Sequence, residues 1–261
     1  MQKVITFKNA QIAFSDIGKG KAVVLIHGFL ENASIWRDVS LEFQKKNRII
    51  TIDLLGHGNS ECLGYVHTME LFAETIEAVF KHLRIRKVIL IGHSLGGYVS
   101  LAFAAKNPQK VKGLCLMNST SNEDNEERKK LRTRANKMIK NNFENMIKMS
   151  VSNLFHQANL SKYKKEIETV KKEALQTSLQ GYIAAQEGMK LRVNTNHVLK
   201  ENNFKKLIII GKKDPVLDVE TSLEEAKKTN SEFVVFPDGH MSYIENKEEL
   251  ITVLRDFLKS C

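Results

Sequence analysis

A serine lies between glycines in the hexapeptide GHSLGG at residues 92–97, directly after an apolar run at residues 87–91. Two interpretations of Ser94 are open. In one, the glycines relieve steric strain in a tight strand-to-helix turn and the serine caps the helix. In the other, a strained turn presents the serine hydroxyl as a nucleophile. The second interpretation requires a base and an acid elsewhere in the chain, because a serine hydroxyl is a weak nucleophile at neutral pH.

A carboxylate and a histidine follow two later apolar runs. Asp214 comes after the run at residues 207–210, and His240 comes after the run at residues 233–236. Active groups in parallel-sheet proteins gather beyond the carboxyl ends of the strands. We therefore predict that Ser94, Asp214 and His240 meet there as nucleophile, acid and base, in the chain order serine, aspartate, histidine.

Two other aspartates compete with Asp214 for the role of the acid. Asp218 is better placed to cap a helix that begins at the next residue. Asp238 lies only two residues before His240, too close along a turn for its carboxylate to reach the imidazole easily. Asp214 itself has a plainer interpretation as a turn residue before proline. Asp214 is the acid that the sequence favours.

Backbone N–H groups are expected beside the serine, because acyl transfer places negative charge on a carbonyl oxygen. One N–H is predicted from Leu95, which directly follows the serine at a helix N-terminus. The other is predicted from Phe29, since Gly28 lets the loop after the third apolar run approach the site closely. The alternative for His27 and Gly28 is an ordinary turn.

The elements that must position these residues are short strands alternating with amphipathic segments, a pattern that predicts a doubly wound α/β fold. Near-continuous Val, Ile and Leu favour a mostly parallel sheet of eight strands that is buried on both faces. The first two strands, joined by a short link, should form an antiparallel hairpin at its edge. The predicted strands span residues 4–7, 12–15, 22–26, 48–52, 87–91, 111–117, 206–210 and 232–236, and the predicted helices span residues 34–44, 69–83, 95–106, 219–228 and 243–258.

The alternation stops after the sixth predicted strand. From about residue 120 to residue 200, apolar residues recur at spacings of three and four and no convincing strand is present. We predict an all-helical cap over residues 120–200, inserted into an α/β core made of residues 1–119 and 201–261. The cap holds 16 Lys and Arg against 9 Asp and Glu, and so carries seven of the ten net positive charges of the chain.

Apolar side chains from the cap and from the core are expected to line a substrate pocket. Ordinary packing between helices is an equally good interpretation of the cap residues. The six candidate pocket residues are Leu30, Tyr98, Phe143, Met146, Phe155 and Met241.

Composition excludes several other classes of protein. Of the 261 residues, 42% are hydrophobic, yet no run approaches the 18 apolar residues of a membrane span, and the first residues lack the apolar run of a secretory signal. The lysines form no compact block with interleaved aromatics, so no nucleic-acid partner is expected. The three cysteines are sparse and odd in number, which favours a reducing, cytoplasmic setting. We expect no metal and no cofactor, because no ligand spacing or phosphate-binding glycine pattern is present.

Taken together, these residues resemble the α/β-hydrolase superfamily over essentially the whole chain. The similarity is strongest to small capped hydrolases, which include carboxylesterases, enol-lactonases and carbon–carbon-bond hydrolases. It implies a catalytic triad of Ser94, Asp214 and His240, with Phe29 and Leu95 as donors to the oxyanion. The matching stretches are HGFLENASIW (27–36), DLLGHGNS (53–60), GHSLGG (92–97), GKKDP (211–215) and GHMSYIEN (239–246).

Four functions agree with this resemblance. The main hypothesis is a serine hydrolase acting on a small-molecule ester or thioester through an acyl-enzyme. A narrower one is a methyl-ester hydrolase whose substrate is bound to an acidic acyl carrier protein, which the basic cap would attract. A third is cleavage of a carbon–carbon bond in a diketone-like substrate by the same triad. The fourth is a non-catalytic receptor or signalling module with the same fold.

Overall fold

The computed structural model describes residues 2–261 and contains one eight-stranded sheet with the order β1-β2-β4-β3-β5-β6-β7-β8. β1 pairs antiparallel with β2, β2 pairs antiparallel with β4, and the remaining neighbours are parallel. The predicted hairpin is therefore confirmed at the sheet edge. The strands are β1 Lys3–Phe7, β2 Ala10–Gly18, β3 Lys21–Ile26, β4 Asn47–Ile52, β5 Val88–His93, β6 Val111–Met117, β7 Lys205–Gly211 and β8 Glu232–Phe236.

The central strands are apolar throughout because both faces of the sheet are covered. Successive residues of β3 point to opposite faces. Val24 and Ile26 pack in one core with helices α2 (Met69–His82) and α3 (Leu95–Lys106). Val23 and Leu25 pack in the other with helices α1 (Arg37–Phe43) and α11 (Lys247–Ser260). All four side chains are buried. This two-sided burial is what a doubly wound sheet requires.

Helices cover both faces, and two of the predicted ones are divided. The predicted helix at residues 34–44 is a 3₁₀ turn, Ala33–Trp36, followed by α1. The predicted helix at residues 243–258 is divided at Asn246, whose φ of −134° and ψ of 40° are not helical. The α-helices are α1 Arg37–Phe43, α2 Met69–His82, α3 Leu95–Lys106, α4 Glu126–Met138, α5 Phe143–Ser152, α6 Lys164–Ala174, α7 Leu179–Leu191, α8 Asn196–Glu201, α9 Val219–Lys228, α10 Ser242–Glu245 and α11 Lys247–Ser260.

Helices α4 to α8 all lie in the stretch between β6 and β7, where the chain contains no strand. Apolar residues of α5, α6 and α7 form most of a third hydrophobic cluster, which includes Ile147, Val151 and Tyr182. The buried Val198 and Leu199 of α8 belong instead to the core that contains α2 and α3. Leu30 and Met241 from the α/β core join the third cluster. It therefore connects these helices to the loops at the end of the sheet. Over residues 2–261, no helix is both long and apolar enough to span a membrane.

Candidate active site

Ser94 lies at the sharp turn between β5 and α3. Its φ of 49° and ψ of −114° fall outside the conformations that side-chain-bearing residues usually adopt. The strand and the helix approach so closely that a Cβ on Gly92 would lie 2.3 Å from the carbonyl oxygen of Gly96. Glycine is therefore required at residue 92, two residues before the serine, for this close approach of strand and helix. Backbone strain of this kind is concentrated at functional sites, and a serine on such a turn matches a nucleophile elbow.

His240 and Asp214 form a buried pair beyond the ends of β7 and β8. His240 Nδ1 lies 2.7 Å from Asp214 Oδ2, and the two side chains are 3% and 1% exposed. Because the carboxylate accepts this hydrogen bond, the neutral ring carries its proton on Nδ1 and has Nε2 as its acceptor. A ring with its proton on Nδ1 and with Nε2 as acceptor is the tautomer that a general base for a serine needs. His240 and Ser94 also line the same cavity.

The carboxylate of Asp214 is held by further donors. Asp214 Oδ1 accepts from the backbone N–H of Val216 at 2.7 Å and of Leu217 at 3.0 Å, and Oδ2 accepts from Asn118 Nδ2 at 3.1 Å. Burial alone raises the pKa of this carboxyl, but His240 and these donors outweigh it and hold the pKa below 3.8. Asp214 therefore stays ionised at neutral pH and can stabilise an imidazolium.

The two competing aspartates have other hydrogen-bond partners. Asp218 Oδ1 accepts from the backbone N–H of Thr221 at 2.8 Å and caps α9. Asp238 accepts from Asn159 Nδ2 at 2.8 Å and from Asn246 Nδ2 at 2.9 Å. Each therefore has a local structural role of its own.

The two backbone N–H groups predicted to face an oxyanion have no acceptor within residues 2–261. The N–H of Leu95 lies in the first turn of α3, where helical N–H groups are unpaired. The N–H of Phe29 follows Gly28, whose own N–H donates to Glu31 Oε2 at 2.5 Å. Two unpaired donors are therefore available, one in the loop after β3 and one in the first turn of α3, and Phe29 lines the same cavity as Ser94.

A buried ion pair that the sequence analysis did not identify connects the loop after β3 to the turn at Ser94. His93 Nδ1 lies 2.8 Å from Glu31 Oε2, and His93 Nε2 lies 3.0 Å from the carbonyl oxygen of His240. Both neighbours are acceptors, so both ring nitrogens donate and His93 is an imidazolium. Burial lowers the pKa of His93, but the charge and hydrogen bond of Glu31 outweigh burial, and the pKa lies above 6.5.

Glu31 carries the matching negative charge. Burial raises the pKa of its carboxyl, yet His93 and the Gly28 N–H outweigh burial and hold the pKa below 4.5. Its other oxygen, Oε1, accepts from the Tyr243 hydroxyl at 3.1 Å. The pair therefore ties the loop after β3, the serine turn and the backbone of His240 into one unit.

Replacing Glu31 by glutamine is expected to lower the free energy of unfolding by about 3–5 kcal/mol, because a buried charge loses its partner. Urea unfolding at several pH values measures the effect. The folded-state pKa of His93 is raised and that of Glu31 is lowered, so the pair stabilises most between pH 4.5 and 6.5. This contribution declines as the pH rises through the folded pKa of His93 or falls through that of Glu31.

A matched control is Glu42→Gln, which breaks the exposed pair of Glu42 with Arg255. That change is expected to cost less than about 1 kcal/mol, because solvent screens the pair. If Glu31→Gln were no more damaging than Glu42→Gln, the ion pair would not be the link between the loops.

The cavity that contains Ser94 and His240 measures about 360 Å³. Its wall comes from the loop after β3, the serine turn, the segment after β7, and helices α4, α5 and α7. Leu30 and Tyr98, two of the predicted pocket residues, lie in this wall. The helices between β6 and β7 therefore complete the enclosure of the candidate site.

The other four predicted pocket residues lie elsewhere. Phe155 and Met241 are buried inside the third hydrophobic cluster, and Phe143 and Met146 pack against it. None of the four belongs to the cavity wall. The sequence pattern identified them as apolar and helical, but such a pattern does not distinguish a side chain packed between helices from one that faces a cavity.

Polar residues that the sequence analysis did not single out occupy part of the wall instead. Arg128 and Arg132 from α4 reach the cavity, as does Gln186 from α7. A signal was present, because Asp124, Arg128 and Arg132 recur every four residues and so share one face of the helix and its N-terminal extension. The spacing predicts the ion pairs, but it does not show which side faces the serine.

The sheet order and the strained serine turn define a protein of the α/β-hydrolase class. A family model described as the alpha/beta hydrolase fold matches residues 21–247. The chain therefore belongs to this family, as the motifs of the sequence indicated.

Individual relatives agree with this assignment. A thermophilic esterase from Thermogutta terrifontis, solved with malate bound, is 28% identical, has a TM-score of 0.93 and is matched over 100% of this chain and 98% of its own. A 2-hydroxy-6-oxononadienedioate/2-hydroxy-6-oxononatrienedioate hydrolase from Paraburkholderia phymatum is 27% identical over 95% of this chain and 91% of its own. An uncharacterized protein from Mycobacterium bovis is 36% identical over 107 residues, 41% of this chain. The chain spans only 31% of the length of that relative.

Proposed function

We propose that this chain is a serine hydrolase that cleaves a carboxylic ester or thioester. The observation that carries the proposal is the buried hydrogen bond between His240 and Asp214, with His240 in the wall of the cavity that also contains Ser94. The strained turn at Ser94 supports its role as a nucleophile. Membership of the α/β-hydrolase family and similarity to an esterase support the class of reaction.

In the first half of the reaction, Ser94 Oγ attacks the substrate carbonyl carbon while His240 Nε2 takes the hydroxyl proton. Asp214 keeps His240 in the required tautomer and stabilises the imidazolium. The N–H groups of Phe29 and Leu95 donate to the oxygen that becomes negative. The imidazolium then returns the proton to the leaving alcohol or thiol, and the acyl group stays on Ser94 as an ester.

In the second half, water replaces the alcohol or thiol. His240 Nε2 takes a proton from the water as it attacks the acyl-enzyme, and the same two N–H groups hold the new oxyanion. When the intermediate collapses, the bond to Ser94 Oγ breaks and the imidazolium gives its proton to that oxygen. The carboxylic acid is released and the serine is restored.

Cleavage of a carbon–carbon bond is a second candidate function. The relative from Paraburkholderia phymatum, which matches almost the whole chain, is named as a hydrolase of 2-hydroxy-6-oxononadienedioate and 2-hydroxy-6-oxononatrienedioate. The same serine, histidine and aspartate serve either reaction, so the two functions differ in substrate and not in these three groups. Turnover of 2-hydroxy-6-oxononadienedioate in the absence of ester hydrolysis would favour this candidate.

Release of nitrophenol from 4-nitrophenyl acetate, butyrate and octanoate tests the proposal. We expect nitrophenol release, and the acyl chain with the highest kcat/KM would measure how long an acyl group the site accepts. Mass spectrometry of the quenched reaction should detect acyl-enzyme. Absence of release from all three esters would contradict ester hydrolysis.

A further inference from the structure

Three arginines surround one carboxylate beside the candidate site. Asp124 is fully buried, and its oxygens lie 2.6 Å from Arg132 Nε, 2.6 Å from Arg192 Nη1 and 3.6 Å from Arg128 Nε. Burial raises the pKa of this carboxyl, but the hydrogen bonds and charges of Arg132 and Arg192 outweigh burial and keep the pKa below 3.8. One negative charge therefore faces three positive charges. An excess of like charge at a partly desolvated place is costly unless a further anion balances it.

Arg192 is held within the protein by its two terminal nitrogens, although its buried Nε has no hydrogen-bond acceptor within residues 2–261. Its Nη1 donates to the carbonyl oxygen of Met189 as well as to Asp124, and its Nη2 donates to the carbonyl oxygen of Asn122. Its guanidinium carbon also lies 4.0 Å from the ring centre of Tyr98. These contacts leave it 7% exposed, so its role is to join chain segments.

Arg128 and Arg132 differ from Arg192 because both lie in the wall of the cavity that contains Ser94. Arg132 Nη1 donates to Gln186 Oε1 at 2.8 Å, and Arg128 Nη1 donates to the carbonyl oxygen of Val216 at 2.8 Å. These acceptors are neutral, so they orient the guanidinium groups without cancelling their charge. Within residues 2–261, neither Nη2 group has a hydrogen-bond acceptor, and the side chains are 35% and 12% exposed.

The remaining ionisable groups of the cavity wall are already balanced. Glu31 is paired with His93 and also accepts from Tyr243. His240 is paired with Asp214. The unbalanced charge of the cavity is therefore positive, and it lies on Arg128 and Arg132 of α4.

We infer that Arg128 and Arg132 bind a carboxylate of the substrate, so that the substrate is an ester or thioester that carries a free carboxylate in its acyl or its leaving group. The inference rests on the proposed function for the bond that is cleaved. Guanidinium groups suit this task because their planar N–H pairs match the geometry of a carboxylate and stay charged at every physiological pH. Asp124 holds both groups in place before the substrate arrives, which lowers the entropy cost of binding.

The test compares the mono-4-nitrophenyl ester of adipic acid with the same ester whose distal carboxyl is methylated. Wild type is expected to prefer the free carboxylate by about ten- to a hundredfold in kcat/KM, the range for hydrogen bonds to charged groups. Arg128→Gln and Arg132→Gln should lower kcat/KM for the free carboxylate far more than for the methylated ester, so that the preference falls to less than about threefold. Arg134→Gln is the matched control, since it removes the same charge from an exposed position on α4 and should retain the preference.

Binding of adipate, followed by calorimetry, provides a readout that does not depend on catalysis. Adipate should bind wild type and Arg134→Gln, and should bind Arg128→Gln at least tenfold more weakly. Arg128→Gln leaves Arg132 and Arg192 on Asp124, so this variant is expected to keep its fold even if Arg132→Gln does not. Binding that depends on Arg128 in a protein without esterase activity would support the carboxylate site and contradict the proposed hydrolysis. Ester hydrolysis with equal rates on both substrates, or equal losses in all three variants, would support the hydrolysis and overturn the carboxylate site.

Discussion

Replacing Ser94 by alanine is expected to lower kcat/KM for 4-nitrophenyl butyrate by roughly 10⁴- to 10⁶-fold, the range seen when the nucleophile of a triad is removed. The reason is chemical, because alanine has no atom that can attack the carbonyl or carry the acyl group. The remaining rate would come from the backbone N–H groups of Phe29 and Leu95 and from binding. Initial rates at matched enzyme concentrations, with the uncatalysed rate subtracted, measure the effect.

The fold should survive this substitution, which makes the result easy to interpret. Ser94 Oγ makes no hydrogen bond within residues 2–261, so alanine removes no structural contact of the hydroxyl. Its backbone carbonyl still accepts from Ser119 Oγ at 2.7 Å. A variant that melts like wild type and no longer forms acyl-enzyme would establish Ser94 as the nucleophile. A variant that keeps more than about a tenth of the activity would assign the hydrolysis to another group.

Replacing Asp214 by asparagine is expected to lower kcat by about 10⁴-fold with little change in the fold. The asparagine amide can donate to His240 Nδ1, which would place the ring proton on Nε2, the nitrogen that must accept from Ser94. It also removes the negative charge that stabilises the imidazolium. Steady-state kinetics on the preferred nitrophenyl ester, with thermal melting in parallel, give both readouts.

Asp218→Asn is the natural control, since it makes the same change four residues away in an exposed helix cap. It should leave kcat within about twofold and cost at most about 1 kcal/mol of stability, because asparagine also caps helices well. If Asp218→Asn abolished turnover and Asp214→Asn did not, the acid would be Asp218.

The strand ends could be predicted from the sequence because their signals are local. An apolar run followed by a turn that contains Ser94, Asp214 or His240 indicates where a parallel strand ends, and such ends meet at one edge of a sheet. In the structure, His240 is hydrogen-bonded to Asp214, and both His240 and Ser94 line one cavity. Gly92 and Gly96 lie where strand and helix approach so closely that neither position has space for a Cβ.

The composition of the cavity wall could not be predicted in the same way. Phe143 and Phe155 have the apolar spacing of a pocket lining, yet Phe155 lies inside the third hydrophobic cluster and Phe143 packs against it. Arg128 and Arg132 have the spacing of exposed ion pairs, yet they lie in the wall with the serine. Helical periodicity identifies a buried face, but the rotation and tilt of each helix against the sheet decide what that face meets.

The sequence by itself determined the α/β-hydrolase fold, the order of the strands along the chain and the three side chains of the candidate triad, because each depends on short patterns of apolar residues, glycines and turns. Only the tertiary structure decided that Glu31 neutralises His93 and that Arg192 joins Arg128 and Arg132 at Asp124. The carboxylate and histidine of that ion pair are 62 residues apart in the chain, and one of those arginines is 68 residues from Asp124. Contacts over such separations arise from the packing of whole elements, which no local pattern records.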